Sequence, residues 1–132
     1  MNPVIVRDHV IIPALVAIDS YSEAAVDLVW KTGATESLYQ HIRQTNGGPA
    51  LSWFQMERAT HDDIWSNYLG YSNRDHLLDG LRDISKRPGD FMEMEVNPWY
   101  AAAMCRIHYL RVPEALPKDC DTLGQAHYSK KY

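Results

Sequence analysis

The sequence predicts a mainly α fold, and three observations carry that expectation. Apolar residues recur at helical spacing along most of the chain, helix-capping residues precede several of those runs, and clear strand-like alternation is absent. At most a small β-hairpin fits, around Asn46-Gly47. With 132 residues the chain is the size of one domain, long enough to bury about two thirds of its unfolded surface. Its 45% apolar and 23% charged residues are those of an ordinary globular domain and exclude wholesale disorder.

The first helix is expected from Arg7 to Ile18, apolar on most faces, with Pro13 kinking or restarting it. Residues 1–21 then form a helical segment packed on the rest of a single domain spanning 1–132. Ser22 can cap a second helix from Glu23, with Ala25, Leu28, Val29 and Thr32 at helical spacing. Gly33 interrupts that run without ending it, and the helix continues to Glu36-Ser37. Asn46-Gly47-Gly48-Pro49 is the strongest turn signal. Thr60 with Asp63 has the form of a capping box before Ile64, Trp65, Tyr68 and Leu69, and Ser72 with Asp75 repeats it before Leu77, Leu78, Leu81 and Ile84. Lys86-Arg87-Pro88-Gly89-Asp90 closes that helix. Asn97-Pro98 pairs a cap with proline at the first helical position, opening a helix through Tyr100, Ala103, Met104, Ile107 and Leu110. Asp121-Thr122 starts a last helix reaching Tyr132.

Charge and motif content remove several function classes. Thirteen basic against seventeen acidic side chains give a net charge of −4, which argues against nucleic acid as a partner. No stretch approaches the roughly 18 apolar residues of a membrane span. The nearest, Val10 to Ile18, has a proline inside, and neither Arg7-Asp8 nor the residues after Ile18 fit a signal peptide. Cys105 and Cys120 make no disulfide framework, and Cys105 sits among apolar neighbours as a core residue would. The six histidines are scattered, none four residues from another. His61-Asp62-Asp63 is expected in the first turn of a helix, where acidic side chains favour the dipole. No HExxH, CxxC, GxSxG or phosphate-cradling glycine loop is present, so neither metal nor cofactor is expected.

One carboxylate keeps a chemical reading. Glu36 is expected at a helix C-terminus, where the negative end of the dipole penalises its ionised form. Packing against Trp53 or Phe54 would desolvate it further, and both effects raise the pKa as a general acid near neutral pH requires. A solvated helix-end glutamate is the alternative. Trp53 and Phe54 themselves read as core rather than as sugar platforms.

The arrangement around Glu36 resembles the lytic transglycosylase and goose-type lysozyme group, particularly its phage-encoded members. That family has Glu-Ser at a helix end, matched by Glu36-Ser37, and Gly-Leu-Met/Phe-Gln, matched by Ser52-Trp53-Phe54-Gln55. Gln55 follows Glu36 by 19 residues, a span typical of the group, and Ala59-Thr60 follows as a small residue and Thr do there. A helix opening with Asn-Pro, rich in small residues and ending in Tyr-Leu is similar to Asn97-Pro98 through Tyr109-Leu110. The family's last element ends in Tyr-Asn, and this chain stops at Tyr132. The likeness runs from about Ala24 to the end, with two departures: Ser52 replaces the usual glycine, and the asparagine after Tyr132 is missing.

The resemblance implies a lysozyme-like helical domain cleaving the β-1,4 bond between N-acetylmuramic acid and N-acetylglucosamine in the peptidoglycan glycan strand. Glu36 would be acid and then base, Ser37 would orient it or bind the sugar amide, Gln55 would hold a sugar, and Ser52 and Tyr132 would line the cleft. A glycoside hydrolase needs two carboxylates, and Glu36 has no partner at motif positions; Glu57, Asp62 and Asp63 are the candidates, the last two better explained as first-turn residues. A transglycosylase needs one, which favours that mechanism. Such a protein, an endolysin or a virion-associated muralytic protein, would be made in the host cytoplasm without a signal peptide. It would act at the cell wall or within a virion, beside other virion proteins. The rival expectation is a non-catalytic structural or interaction protein of a phage particle with the same fold, which the acidic balance favours.

Overall fold

A computed structural model describes residues 2–37, 53–70 and 72–111. Of these, 73% are helical and none forms a strand, so the fold is mainly α as the spacing predicts. The hairpin around Asn46-Gly47 and the last helix from Asp121 lie outside the described residues.

The first helix begins earlier than Arg7. Asn2 accepts the Val4 N–H on Oδ1 at 2.9 Å and the Val6 N–H on its carbonyl at 3.1 Å, and Pro3 follows at the first helical position. Helix α1 (Pro3–Val6) runs through a π-helical turn (Arg7–Ile11) into α2 (Ile12–Ala17). Pro13 restarts the helix in the first turn of α2. Having no N–H, it offers nothing to the His9 carbonyl four residues back, and Trp99 Nε1 donates to that oxygen at 2.9 Å instead. Asp19 ends the helix in the left-handed region (φ 53°), with Asp19 N–H on the Val16 carbonyl and Ser20 N–H on the Leu15 carbonyl. This is a Schellman end with aspartate where glycine is usual. Val6, Ile11, Ala14, Leu15 and Ile18 are fully buried, so the N-terminal segment supplies core.

Helix α3 (Glu23–Ser37) starts where Ser22 predicts it, Ser22 Oγ accepting the Ala25 N–H at 3.0 Å. Helix α4 (Arg58–Asn67) departs from its expected cap. The backbone is already extended at Glu57 (φ −82°, ψ 154°), so the helix starts there without a side-chain cap and Thr60 falls inside it. Likewise a 3-10 turn (Ser72–Arg74) leads into α5 (Asp75–Ile84), whose N-cap is Arg74 and not Ser72. Leu77 and Leu81 turn inward from α5, and Gly80 lies against the end of α2. A Cβ at Gly80 would collide with the Ala17 carbonyl oxygen and sit 2.6 Å from Ile18 Cα.

After the short α6 (Glu93–Val96), α7 (Pro98–Leu110) runs through the centre of the core. Asn97 caps it as predicted, Oδ1 accepting the Tyr100 N–H at 3.0 Å, while its Nδ2 donates to the Ile84 carbonyl at 2.8 Å and ties down the end of α5. Tyr100 to Ile107 and Tyr109 are all buried, Cys105 among them. The small side chains of Ala101, Ala102 and Ala103 let α2, α3 and α5 pack closely on α7.

Candidate functional site

Glu36 and Ser37 are the last two described residues of α3, and the chain that follows Ser37 lies outside the described residues. Their side chains, and Ser52 and Tyr132 altogether, lie outside the described residues. Gln55 is half-buried with φ 52°, in a turn between the buried Phe54 and Met56. Two residues later the chain is extended, and α4 begins. Trp53 and Phe54 are buried, as core residues should be.

The C-terminal end of α7 holds the two motif-bearing segments together. Thr32, one turn before Glu36, donates from Oγ1 to the Leu28 carbonyl at 2.8 Å, leaving its oxygen to accept from the Tyr109 hydroxyl at 3.0 Å. Two residues beyond Tyr109, Arg111 reaches Asp63 of α4 at 2.6 Å. The last turns of α3 and the middle of α4 therefore meet at one end of one buried helix.

The carboxylates near α4 differ in their surroundings. Asp63 accepts from Asn67 Nδ2 at 2.6 Å and from Arg111, and these two bonds hold its carboxyl below the usual carboxylate range. It is a paired anion, which is the wrong form for a proton donor. Glu57 and Asp62 are exposed, and Asp62 Oδ1 is bonded to His61.

His61 corrects the sequence reading. Because α4 starts at Arg58, His61, Asp62 and Asp63 stand beyond the first turn, where the dipole offers acidic side chains little. His61 is fully buried, with Nδ1 2.9 Å from Asp62 Oδ1 and Nε2 2.8 Å from the Tyr100 hydroxyl. The same hydroxyl accepts from Trp65 Nε1 at 2.9 Å and from the Gly89 N–H at 3.1 Å. Burial pushes the Tyr100 phenol up to about 12 and lowers the His61 imidazole. The spacing of His61 and Trp65, four apart on one helix face, was a sequence signal for this cluster. Nothing in the sequence pointed to Tyr100 and Gly89 as their partners.

At the other end of α7 an open cleft of about 450 Å³ lies between α5, α6 and the start of α7. Arg82, Lys86, Glu93, Val96 and Trp99 line it, with Glu93 Oε2 accepting from Ser85 Oγ at 2.6 Å and Asn97 Nδ2 at 3.3 Å. Among the described residues no group of three or more His, Cys, Asp or Glu side chains gathers as a metal site would require. No described helix is long and apolar enough to cross a membrane. No protein-family model, curated protein or solved structure matches the chain.

Proposed function

We propose that the chain is a peptidoglycan-cleaving lytic transglycosylase with a lysozyme-like fold, using Glu36 as its single acid/base. The observation that carries this reading is α7, which joins the turn of α3 before Glu36-Ser37 to the helix that follows Gln55. Asp63, one candidate for a second carboxylate, has one oxygen bonded to Asn67 and the other to Arg111, so neither is free to meet a water or a sugar, which favours a one-carboxylate mechanism.

In that mechanism Glu36 protonates the leaving N-acetylglucosamine oxygen as the bond to the muramyl C1 breaks. The muramyl N-acetyl group supports the developing positive charge. The muramyl C6 hydroxyl then attacks C1 and returns its proton to Glu36, leaving a 1,6-anhydro sugar and the catalyst in its starting form. Ser37 orients the glutamate or bonds the sugar amide, the two-ended amide of Gln55 holds a sugar, and Tyr132 lines the cleft. Ser52 narrows the wall where the related enzymes carry glycine. The substrate partner is the glycan strand, and other virion proteins are its neighbours if it acts within a particle.

Digestion of purified peptidoglycan followed by mass spectrometry tests this. Anhydro-muropeptides are the expected product, whereas ordinary reducing ends would identify a hydrolase. Complete absence of cleavage would favour the structural phage protein, a reading that the net charge of −4 supports because cell walls are themselves anionic.

A further inference from the structure

His61 is a buried titratable group that the proposed reaction does not use, and its hydrogen bonds fix where its proton sits. A phenolic oxygen carries one proton and accepts two hydrogen bonds. At Tyr100 both acceptor positions are filled by groups that can only donate, Trp65 Nε1–H at 2.9 Å and the Gly89 N–H at 3.1 Å. The phenolic proton therefore goes to His61 Nε2 at 2.8 Å, which must be the bare nitrogen. The imidazole proton is then on Nδ1, donated to Asp62 Oδ1 at 2.9 Å. Each polar atom of this His61–Tyr100 cluster is satisfied in one protonation state alone.

We propose that His61 is a proton-operated latch: a proton arriving at Nε2 meets the phenolic proton head-on, so that α4 and residues 85–92 loosen from α7 in mild acid. The phenolic O–H would have to turn away from His61, on an oxygen already crowded by two N–H donors. Three N–H donors, from His61, Trp65 and Gly89, would then converge on one buried oxygen that keeps its own proton and offers two acceptor positions. The cluster joins three parts of the fold, so its failure is not local: His61 and Trp65 belong to α4, Gly89 to the segment after α5, and Tyr100 to α7.

The charges facing His61 pull in both directions. Asp62 on its own helix and Asp90 from the segment after α5 favour the protonated ring, while Arg58 on its own helix opposes it. From α7 it meets the neutral Tyr100 phenol, which Glu93 and Asp90 help to keep protonated. The edge of the Phe91 ring, 5.4 Å between centroids, seals the same side without charge. Burial is the largest influence and keeps the ring neutral. The folded state thus resists a proton that the unfolded chain takes up near the ordinary value of 6.5. The latch contribution is complete above that pH and declines as pH falls through it, by at most about tenfold in the folded-to-unfolded ratio per pH unit for one proton.

Urea unfolding of the parent and of His61→Gln between pH 8 and 5 tests the latch, since a glutamine carbonyl accepts the phenolic proton but does not titrate. Below pH 6.5 the parent's folded-to-unfolded ratio should fall more steeply than the variant's, by up to about tenfold per pH unit for one proton, and parallel profiles would overturn the proposal. If the variant does not fold, imidazole nitrogen NMR and Gly89 amide exchange on the parent decide. The expected result is a bare Nε2 at neutral pH, titration below 6.5, and Gly89 protection lost in step. A proton on Nε2 at neutral pH, titration at or above 6.5, or an amide that stays protected would refute it.

Discussion

A single phenolic oxygen shows how much of this fold rests on individual atoms. Tyr100 is fully buried, and its hydroxyl meets His61, Trp65 and Gly89 from three separate stretches of chain. Tyr100→Phe keeps the ring but strands two N–H donors and an imidazole nitrogen. It should cost about 2–4 kcal/mol in chemical denaturation, several times an average surface change. The same oxygen predicts an alkaline limb. The folded phenol ionises near 12 and the unfolded one near 10, so its contribution is complete below pH 10 and is lost as pH rises towards 12. Over those two units the folded-to-unfolded ratio should fall on the order of a hundredfold, and Tyr100→Phe should flatten that limb. Gly89, at φ 95° and with the Trp65 ring 3.7 Å from where a Cβ would stand, has a left-handed backbone that favours glycine, and in it the N–H reaches the phenol.

At the scale of elements, what the sequence reveals depends on whether a signal is local. Ser22 and Asn97-Pro98 were legible because a cap needs only its own first turn, and both make the expected bond. Asn2-Pro3 carries the same signature as Asn97-Pro98, yet the apolar run beginning later hides it. Thr60-Asp63 and Ser72-Asp75 have the right spacing and fail, because the chain is already helical or in a 3-10 turn when it reaches them. Contacts between distant elements leave no such mark. Gly80 looks like a weak point in an otherwise good helix, but it is where α5 touches the backbone at the end of α2. Gly80→Ala should therefore destabilise by about 3 kcal/mol or more, although alanine favours helices. A thermal unfolding midpoint raised by the substitution would mean that the two helices do not approach so closely. Ala103→Leu should overpack α7 in the same way, by about 1–3 kcal/mol.

At the scale of the whole molecule, α7 decides how the candidate site is held, and that was not legible from motifs. The order Glu36-Ser37, Gln55, Ala59-Thr60 and Asn97-Pro98 supplied the pieces, of which Glu36-Ser37 falls in α3 and Asn97-Pro98 opens α7. That Tyr109 and Arg111 would draw α3 and α4 to one end of α7 needed the fold, because each pair is far apart in sequence. This architecture separates the roles of two carboxylates in one experiment. Glu36→Gln preserves shape and removes the transferable proton. Peptidoglycan cleavage should fall by roughly a hundredfold to ten-thousandfold, and stability should hold or rise as a helix-end charge is removed. Asp63→Asn removes a paired anion from the outside of α4, where Arg111 loses its partner. Cleavage should be little changed, while the stability that Asp63 contributes above its ordinary pKa should disappear, most visibly at low salt. If Asp63→Asn abolished turnover as thoroughly as Glu36→Gln, two carboxylates would share the chemistry. The product would then be a hydrolysed strand in place of an anhydro sugar.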